Sequence, residues 1–259
     1  MHKDRAHRHY GRVHQPSYPS INPRQVSGKT LTRIVELAEP KKTDVVLDLA
    51  SGPSYLAVTL APLVTQAVST DVTSFSIDET WRLGREKGIA NLHVFGCESE
   101  TLPFRDGTFP VVCSRIAAHH FSDVRKSMHE IARVTNKGGR VIIADTVVPV
   151  DDEIDRFINH LDHVHDPTHV RNYTVREWRV LFADAGLKLK HVEEDVCEDD
   201  RGECLREWLG RTGASAQTIR QATGLLVAAK AKIKDALMMR AERGEIYFQI
   251  RRVILAGEK

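Results

Sequence analysis

Short apolar runs bounded by polar residues recur through the first 150 positions: "DVVLDLA" (44–50), "QAVSTD" (66–71), "NLHVF" (91–95), "FPVVCS" (109–114) and "GRVIIAD" (139–145). Runs that are apolar at both parities of a two-residue period are strands buried on both faces. Between them apolar residues fall at helical spacing, in 27–37, Tyr55–Leu63, Ile77–Lys87 and Val124–Val134. Strand and helix alternate, so the pattern predicts an α/β fold: a mostly parallel sheet with helices on both faces. No internal repeat interrupts it.

After Val150 the pattern changes. "DDEIDRFINHLDHV" puts Ile154, Phe157, Ile158, Leu161 and Val164 on one helical stripe. "TVREWRVLFADAG" reads as a further helix, with Thr174 as its N-cap and Gly186 past its end. "LKLKHVEEDV" and the final "EIYFQIRRVILAG" both read as strands. Between them, residues 200–243 form a mostly helical insertion, long enough to act as a lid on a cleft. Residues 27–259 are thus expected to form one domain, preceded by an arm over 1–26.

Composition narrows the function classes. The 259 residues carry a net charge of +2 and no apolar run long enough to span a bilayer, which argues against a nucleic-acid surface and a membrane span. The amino terminus lacks the apolar stretch of a secretory signal. Cys97, Cys113, Cys197 and Cys204 form no CxxC pair, as expected of reduced thiols in a cytoplasmic protein. The arm collects Lys3, Arg5, Arg8, Arg12 and four histidines. A solvated terminus is the expectation there, with contact to phosphate or an acidic partner as the alternative.

The stretch "VVLDLASGPSYLAVTLAP" (45–62) is a strand, a tight turn and a helix start, and its turn holds one glycine, Gly52. Open parallel sheets bind ligands at the carboxyl ends of their strands, where the strand order reverses. Asp48 closes the first strand and Asp71 the second. Asp71 stands 19 positions past Gly52, close to the roughly 20-residue spacing at which a carboxylate accepts from both hydroxyls of an adenosine ribose. "ASGPSYLA" lacks the three glycines through which backbone amides approach a pyrophosphate. A nicotinamide dinucleotide is therefore disfavoured. A smaller, less anionic ligand needs one close backbone approach, which Gly52 provides.

"VVLDLASGPSYLA", "VSTD", "ESETLPFRDGTFPVV", "RIAAHHFSDVRKSMHEIARV" and "NKGGRVIIADTVVP" resemble the successive motifs of class I S-adenosylmethionine-dependent methyltransferases. The resemblance is greatest to the ubiquinone/menaquinone C-methyltransferase branch. It implies a Rossmann-like sheet of seven strands with the last antiparallel, S-adenosyl-L-methionine as cofactor and a small-molecule acceptor. Carried over by position, Ala50, Ser51, Gly52 and Ser54 would line the methionine part, with Asp48 behind them and Asp71 on the ribose. Glu98 would read the adenine amino group and the Ser99 amide a ring nitrogen. A backbone carbonyl at Ser114 or Arg115 would accept from the cofactor ammonium. His119 and His120 would face the transferred methyl. The family's G-C-G-T-G turn reads A-S-G-P-S here, so Ala50 and Ser54 carry Cβ atoms where a backbone passes close to a ligand and positive φ is costly.

A histidine near neutrality is the natural base for an acceptor that must lose a proton. His119 and His120 hold the right position, although either one packing against or capping the next helix explains them equally well. "NHLDHVHDPTHVR" gathers His160, His163, His165 and His169, but helical spacing spreads them apart and no metal site is expected. His169 and Arg171 follow the break at Pro167 and are candidates for a substrate entrance, the arginine suiting a carboxylate or phosphate. Trp178 and Trp208 are read as packing residues. Three readings stay open: a small-molecule methyltransferase, a cofactor-retaining enzyme performing cyclisation, elimination or decarboxylation, and a binding protein without catalysis. Acceptor identity and oligomeric state, a homo-oligomer included, are not legible.

Overall fold

A computed structural model describes residues 28–259; the arm over 1–26 lies outside the described residues. In chain order the main elements are α1 (Lys29–Ala38), β1 (Val45–Leu49), α2 (Tyr55–Leu60), β2 (Gln66–Asp71), α3 (Ser74–Glu86), β3 (Leu92–Gly96), β4 (Phe109–Arg115), α4 (Val124–Val134) and β5 (Thr135–Thr146). There follow α5 (Asp152–His165), α6 (Val175–Asp184), β6 (Lys188–Val196), β7 (Glu203–Cys204), α7 (Leu205–Gly210), α8 (Ala216–Ala228), α9 (Ala231–Ala236), β8 (Arg240–Glu242), β9 (Glu245–Phe248) and β10 (Arg252–Glu258). The large sheet runs β3-β2-β1-β4-β5-β10-β6. Its first five strands are parallel, and β10 is antiparallel to both neighbours.

Alternate residues of each central strand serve opposite layers. Leu47, Val112, Val141, Ile143, Val253 and Leu255 pack with Met128 and Ile131 of α4 and Trp178 and Phe182 of α6. Val46, Val111, Cys113, Ile142, Ala144 and Ile254 pack with Leu31 and Ile34 of α1, Leu56 and Leu60 of α2 and Leu83 of α3. Both faces are thereby covered, as the runs of unbroken apolar sequence require. The strand order reverses between β1 and β4, which opens a crevice at their carboxyl ends.

Thr174 caps α6 in a reciprocal box with Glu177, and Gly186 stands past its end at φ +75. The C-terminal segment differs from expectation. "EIYFQIRRVILAG" is two strands: β9 joins a three-stranded sheet in the order β7-β9-β8, and β10 joins the large one. One apolar run feeds two cores there. Phe248, with Ile246 and Ile250, packs into the insertion, while Val253, Ile254 and Leu255 fill the two faces of the large sheet. The stretch expected to be mostly helical, 200–243, thus contains α7, α8 and α9 together with two short strands, β7 and β8.

A third core makes this cap a unit. Leu205, Trp208, Leu209, Ala222, Leu226, Ile233, Leu237 and Phe248 cluster with Ile154 and Leu161 of α5, so the apolar stripe of α5 belongs to the cap. Trp208 stacks on His165 at 3.7 Å and meets Phe248 edge-on at 5.2 Å. Trp208→Ala is expected to destabilise the cap by about 3–5 kcal/mol. Hydrogen exchange should speed up in α8 and α9 and stay slow in β1, β4 and β5; equal acceleration in both regions would show a single cooperative core.

Candidate active site

The turn after β1 is held by β2. Asp71 accepts from the Gly52 amide through Oδ2 at 2.9 Å. Its Oδ1 accepts from the Thr73 amide (2.9 Å) and hydroxyl (2.7 Å). One carboxylate therefore joins the tips of two strands and starts α3, where Thr73 is the N-cap. Ser51 is bound to β2 as well: its amide donates to the Thr70 carbonyl and its hydroxyl shares a 2.6 Å hydrogen bond with Ser69. From α3, Thr80 accepts from the Ser54 amide at 3.1 Å and donates to the Gly52 carbonyl at 3.3 Å.

Ala50 takes φ +52 and Gly52 φ +55. The alanine accepts the left-handed conformation that costs an L-residue about 1–2 kcal/mol. Ser54 does not, at φ −61. A Cβ built on Gly52 would meet no atom of the described residues within 4 Å. This glycine is therefore spared a side chain by its backbone conformation and by the open crevice in front of it, and not by neighbouring protein.

Asp48 lies beneath the turn, buried at 1% exposure. Its Oδ2 accepts from the Ser54 hydroxyl (2.7 Å) and the Ala57 amide (3.0 Å), and its Oδ1 has no hydrogen-bond partner among the described residues. Burial raises its pKa to about 7 against these two hydrogen bonds and the charge of Arg115.

The remaining sequence candidates divide. Glu98 is half-buried and Ser99 buried on the loop after β3. The Ser99 hydroxyl is tied to Ser127 of α4 at 2.9 Å, whereas its amide has no partner among the described residues. Ser114 donates its hydroxyl to the Leu49 carbonyl at 3.1 Å, which fastens β4 to the end of β1. Arg115 points its guanidinium to Thr30 (2.9 Å) and Glu198 (3.6 Å). Arg171 pairs with Asp155 (2.9 Å) and Glu177 (3.1 Å). Two internal carboxylates thus occupy the guanidinium read as a partner for an anionic acceptor.

The two adjacent histidines separate in role. His119 lies in a single 3-10 turn beyond β4. Its Nδ1 is 2.6 Å from Asp145 Oδ1, and its backbone amide donates to Asp145 Oδ2 at 3.0 Å. Its carbonyl accepts from the amides of Val170 and Arg171. His120 directs Nδ1 to the Thr168 carbonyl and hydroxyl, each at 3.2 Å, with Nε2 3.9 Å from Asp166. His169 is buried, with Nε2 on Asn159 Oδ1 at 2.9 Å. The His119 ring lies 4.1 Å from that of His120 and 5.7 Å from that of His169. The cap of the next helix is Asp123, which accepts from the Lys126 amide, so neither histidine performs that task.

Burial and the charge of His119 push His120 down to about 4 and His169 down to about 3. Burial also acts against the charged form of His119, but Asp145, with Asp162 and Asp166 behind it, outweighs this and raises its pKa above the ordinary histidine value. Asp145, 1% exposed, is held below the ordinary carboxylate value by His119 despite its burial. Sequence reasoning passed over Asp145, Thr73, Thr80 and Glu198. Asp145 carried a readable signal, since it ends a buried strand as Asp71 ends β2.

The family model described as a methyltransferase domain matches residues 47–143, from β1 to β5. YcgJ, an uncharacterized methyltransferase of Bacillus subtilis (strain 168), is 30% identical over 234 residues, which cover 90% of this chain and 91% of that one. Its crystal structure superposes with a TM-score of 0.81 at 29% identity, covering 89% of this chain and 97% of that one. The ubiquinone/menaquinone biosynthesis C-methyltransferase UbiE of Francisella tularensis subsp. holarctica is 24% identical over 192 residues, 73% of each chain. The chain belongs to the class I S-adenosylmethionine-dependent methyltransferases.

Asp48 gives this site a pH signature. The folded protein holds its proton up to about pH 7, whereas the unfolded chain releases it near the ordinary 3.8. Stability from this group therefore falls as pH rises through that window. Asp48→Asn should remove the fall, gaining roughly 4 kcal/mol over the wild type at pH 8 and little at pH 4. Urea unfolding at both pH values checks this; a variant equally displaced at both would show that Asp48 does not titrate there.

Proposed function

We propose that this chain transfers the methyl group of S-adenosylmethionine to a small-molecule acceptor held between the strand tips and the cap. The observation that carries the reading is the Asp71–Gly52 hydrogen bond across β1 and β2, with open space before Gly52. Asp71 keeps acceptor capacity on Oδ2, which takes one protein donor, and receives the ribose hydroxyls there. The Ser99 amide, without a partner among the described residues, and the half-buried Glu98 suit the adenine edge. Ala50, Ser51 and Gly52 border the methionine part, and the unpartnered Asp48 oxygen lies beneath them. Ser114 contributes a backbone carbonyl for the ammonium group, while its hydroxyl stays on β1.

When bound, the sulfonium supplies an activated methyl carbon. The protein then has to position the acceptor, exclude water and manage a proton. The cap, built from α5 and residues 203–248, supplies cover for the crevice. Its link to the sheet runs through loop 166–174, whose backbone is bonded to His119. The curated C-methyltransferases of quinone biosynthesis among the relatives favour a small organic acceptor.

Calorimetry with S-adenosylhomocysteine tests the reading. Wild type should bind, and Asp71→Ala should lose at least about tenfold in affinity, the worth of one charge-assisted hydrogen bond or more. Arg171→Ala, whose guanidinium is occupied elsewhere, should bind as wild type does. Unchanged affinity in Asp71→Ala would contradict the assignment.

A further inference from the structure

Resting on the methyl-transfer reading above, we propose that the cleft between α5, the end of β5 and the β9–β10 link takes the acceptor, that the acceptor carries an ammonium group, and that Asp162 Oδ1 anchors it.

The cleft lies where the sheet meets the cap. Thr146 and Val147 border it from β5, Leu161 and Asp162 from α5, and Leu237 and Phe248 from the cap. It holds about 440 Å³ of empty space, its mouth to solvent included, within the range of small-molecule sites. It adjoins the turn that bears His119. Thr146 follows Asp145, whose carboxylate holds that ring, and the charge of Asp162 acts on the same ring.

The polar groups of the cleft run in one direction. The Thr146 hydroxyl donates to Asn172 Oδ1, and Asn172 Nδ2 donates to Asp162 Oδ2. An amide fixed at both ends makes the carboxylate the last acceptor of the chain. Asp162 Oδ1 has no hydrogen-bond partner among the described residues and is not sealed from solvent. The other long polar side chains of the lining are bound elsewhere: Gln249 donates to the Asp200 carbonyl at 3.1 Å and Arg251 to Asp195 at 2.8 Å. A ligand that fits must donate to one oxygen and be apolar around that donor.

Charge selects the donor. Facing Asp162 are Asp166 from the loop after α5, His119 from the turn after β4 and Arg252 from β10. Arg252 is shared with Glu203 and Glu198, and His119 is paired with Asp145. Partial burial raises the pKa of Asp162 to about 6. A carboxylate withdrawn from water is costly until a cation meets it, and an ammonium group supplies both the charge and the donor. A phosphate or carboxylate would instead face Asp145, Asp162 and Asp166, while Arg171 is taken by Asp155 and Glu177.

The probe is 2-phenylethylamine, with 2-phenylethanol and phenylacetate as its neutral and anionic counterparts, titrated by NMR into the full chain saturated with S-adenosylhomocysteine. At about pH 7.5 the amine should bind at least about tenfold more tightly than either counterpart. Asp162→Asn should lose that preference and keep its affinity for S-adenosylhomocysteine. Wild type gives a readout independent of variant folding. Its amine affinity should fall roughly tenfold from about pH 7.5 to about pH 5, where the carboxylate takes up a proton and the amine stays charged. His119, protonating over the same range, acts in the same direction. An alcohol or acid bound as tightly as the amine, an amine refused by the ligand-loaded protein, a preference retained in Asp162→Asn or a level pH profile would each overturn the proposal. Failure of wild type to bind S-adenosylhomocysteine would instead strike the underlying reading.

Discussion

One carboxylate at the end of a buried strand holds the crevice open. Parallel strands end with their carbonyls and loops converging on one edge, and those loops need partners that leave room for a ligand. Asp71 meets that need by bonding the Gly52 amide on one side and the Thr73 amide and hydroxyl on the other. The same device recurs in the sheet. Asp48 holds Ser54 and the first turn of α2, and Asp145 holds His119. Three acids near the ends of three strands thus fix three loops, and the crevice lies among the loops they fix.

This arrangement explains how a glycine-poor turn keeps its shape. Ser51 and Thr80 bind the turn to β2 and α3, so that Ala50 can be held at positive φ by its surroundings. The single glycine remains where open space lies in front of the backbone. The cap answers a second constraint. α5 carries an apolar stripe, and the insertion supplies a core of its own for it.

Much of this was legible in the sequence. Apolar runs at both parities marked the five parallel strands, and QAVSTD and Val124–Val134 coincide with β2 and α4. The spacing from Gly52 to Asp71 pointed to a ribose carboxylate; that this carboxylate also accepts from the Gly52 amide was not foreseen. What escaped the sequence was long-range. A single apolar run at 245–257 does not show that it feeds two cores. Arg171 read as a cation for an anionic acceptor because its carboxylates, Asp155 and Glu177, come from other elements. The dyad partner of His119 stands 26 positions downstream, at a distance only the sheet register closes.

The account's central claim is that an adenosyl ligand crosses the tips of β1 and β2 with its reacting end turned toward His119. A crystal structure of the S-adenosylhomocysteine complex tests it most directly. The account predicts ribose hydroxyls on Asp71 and the sulfur on the side of the crevice that faces His119 Nε2. A ligand bound away from Asp71, or with its sulfur turned from that histidine, would contradict it.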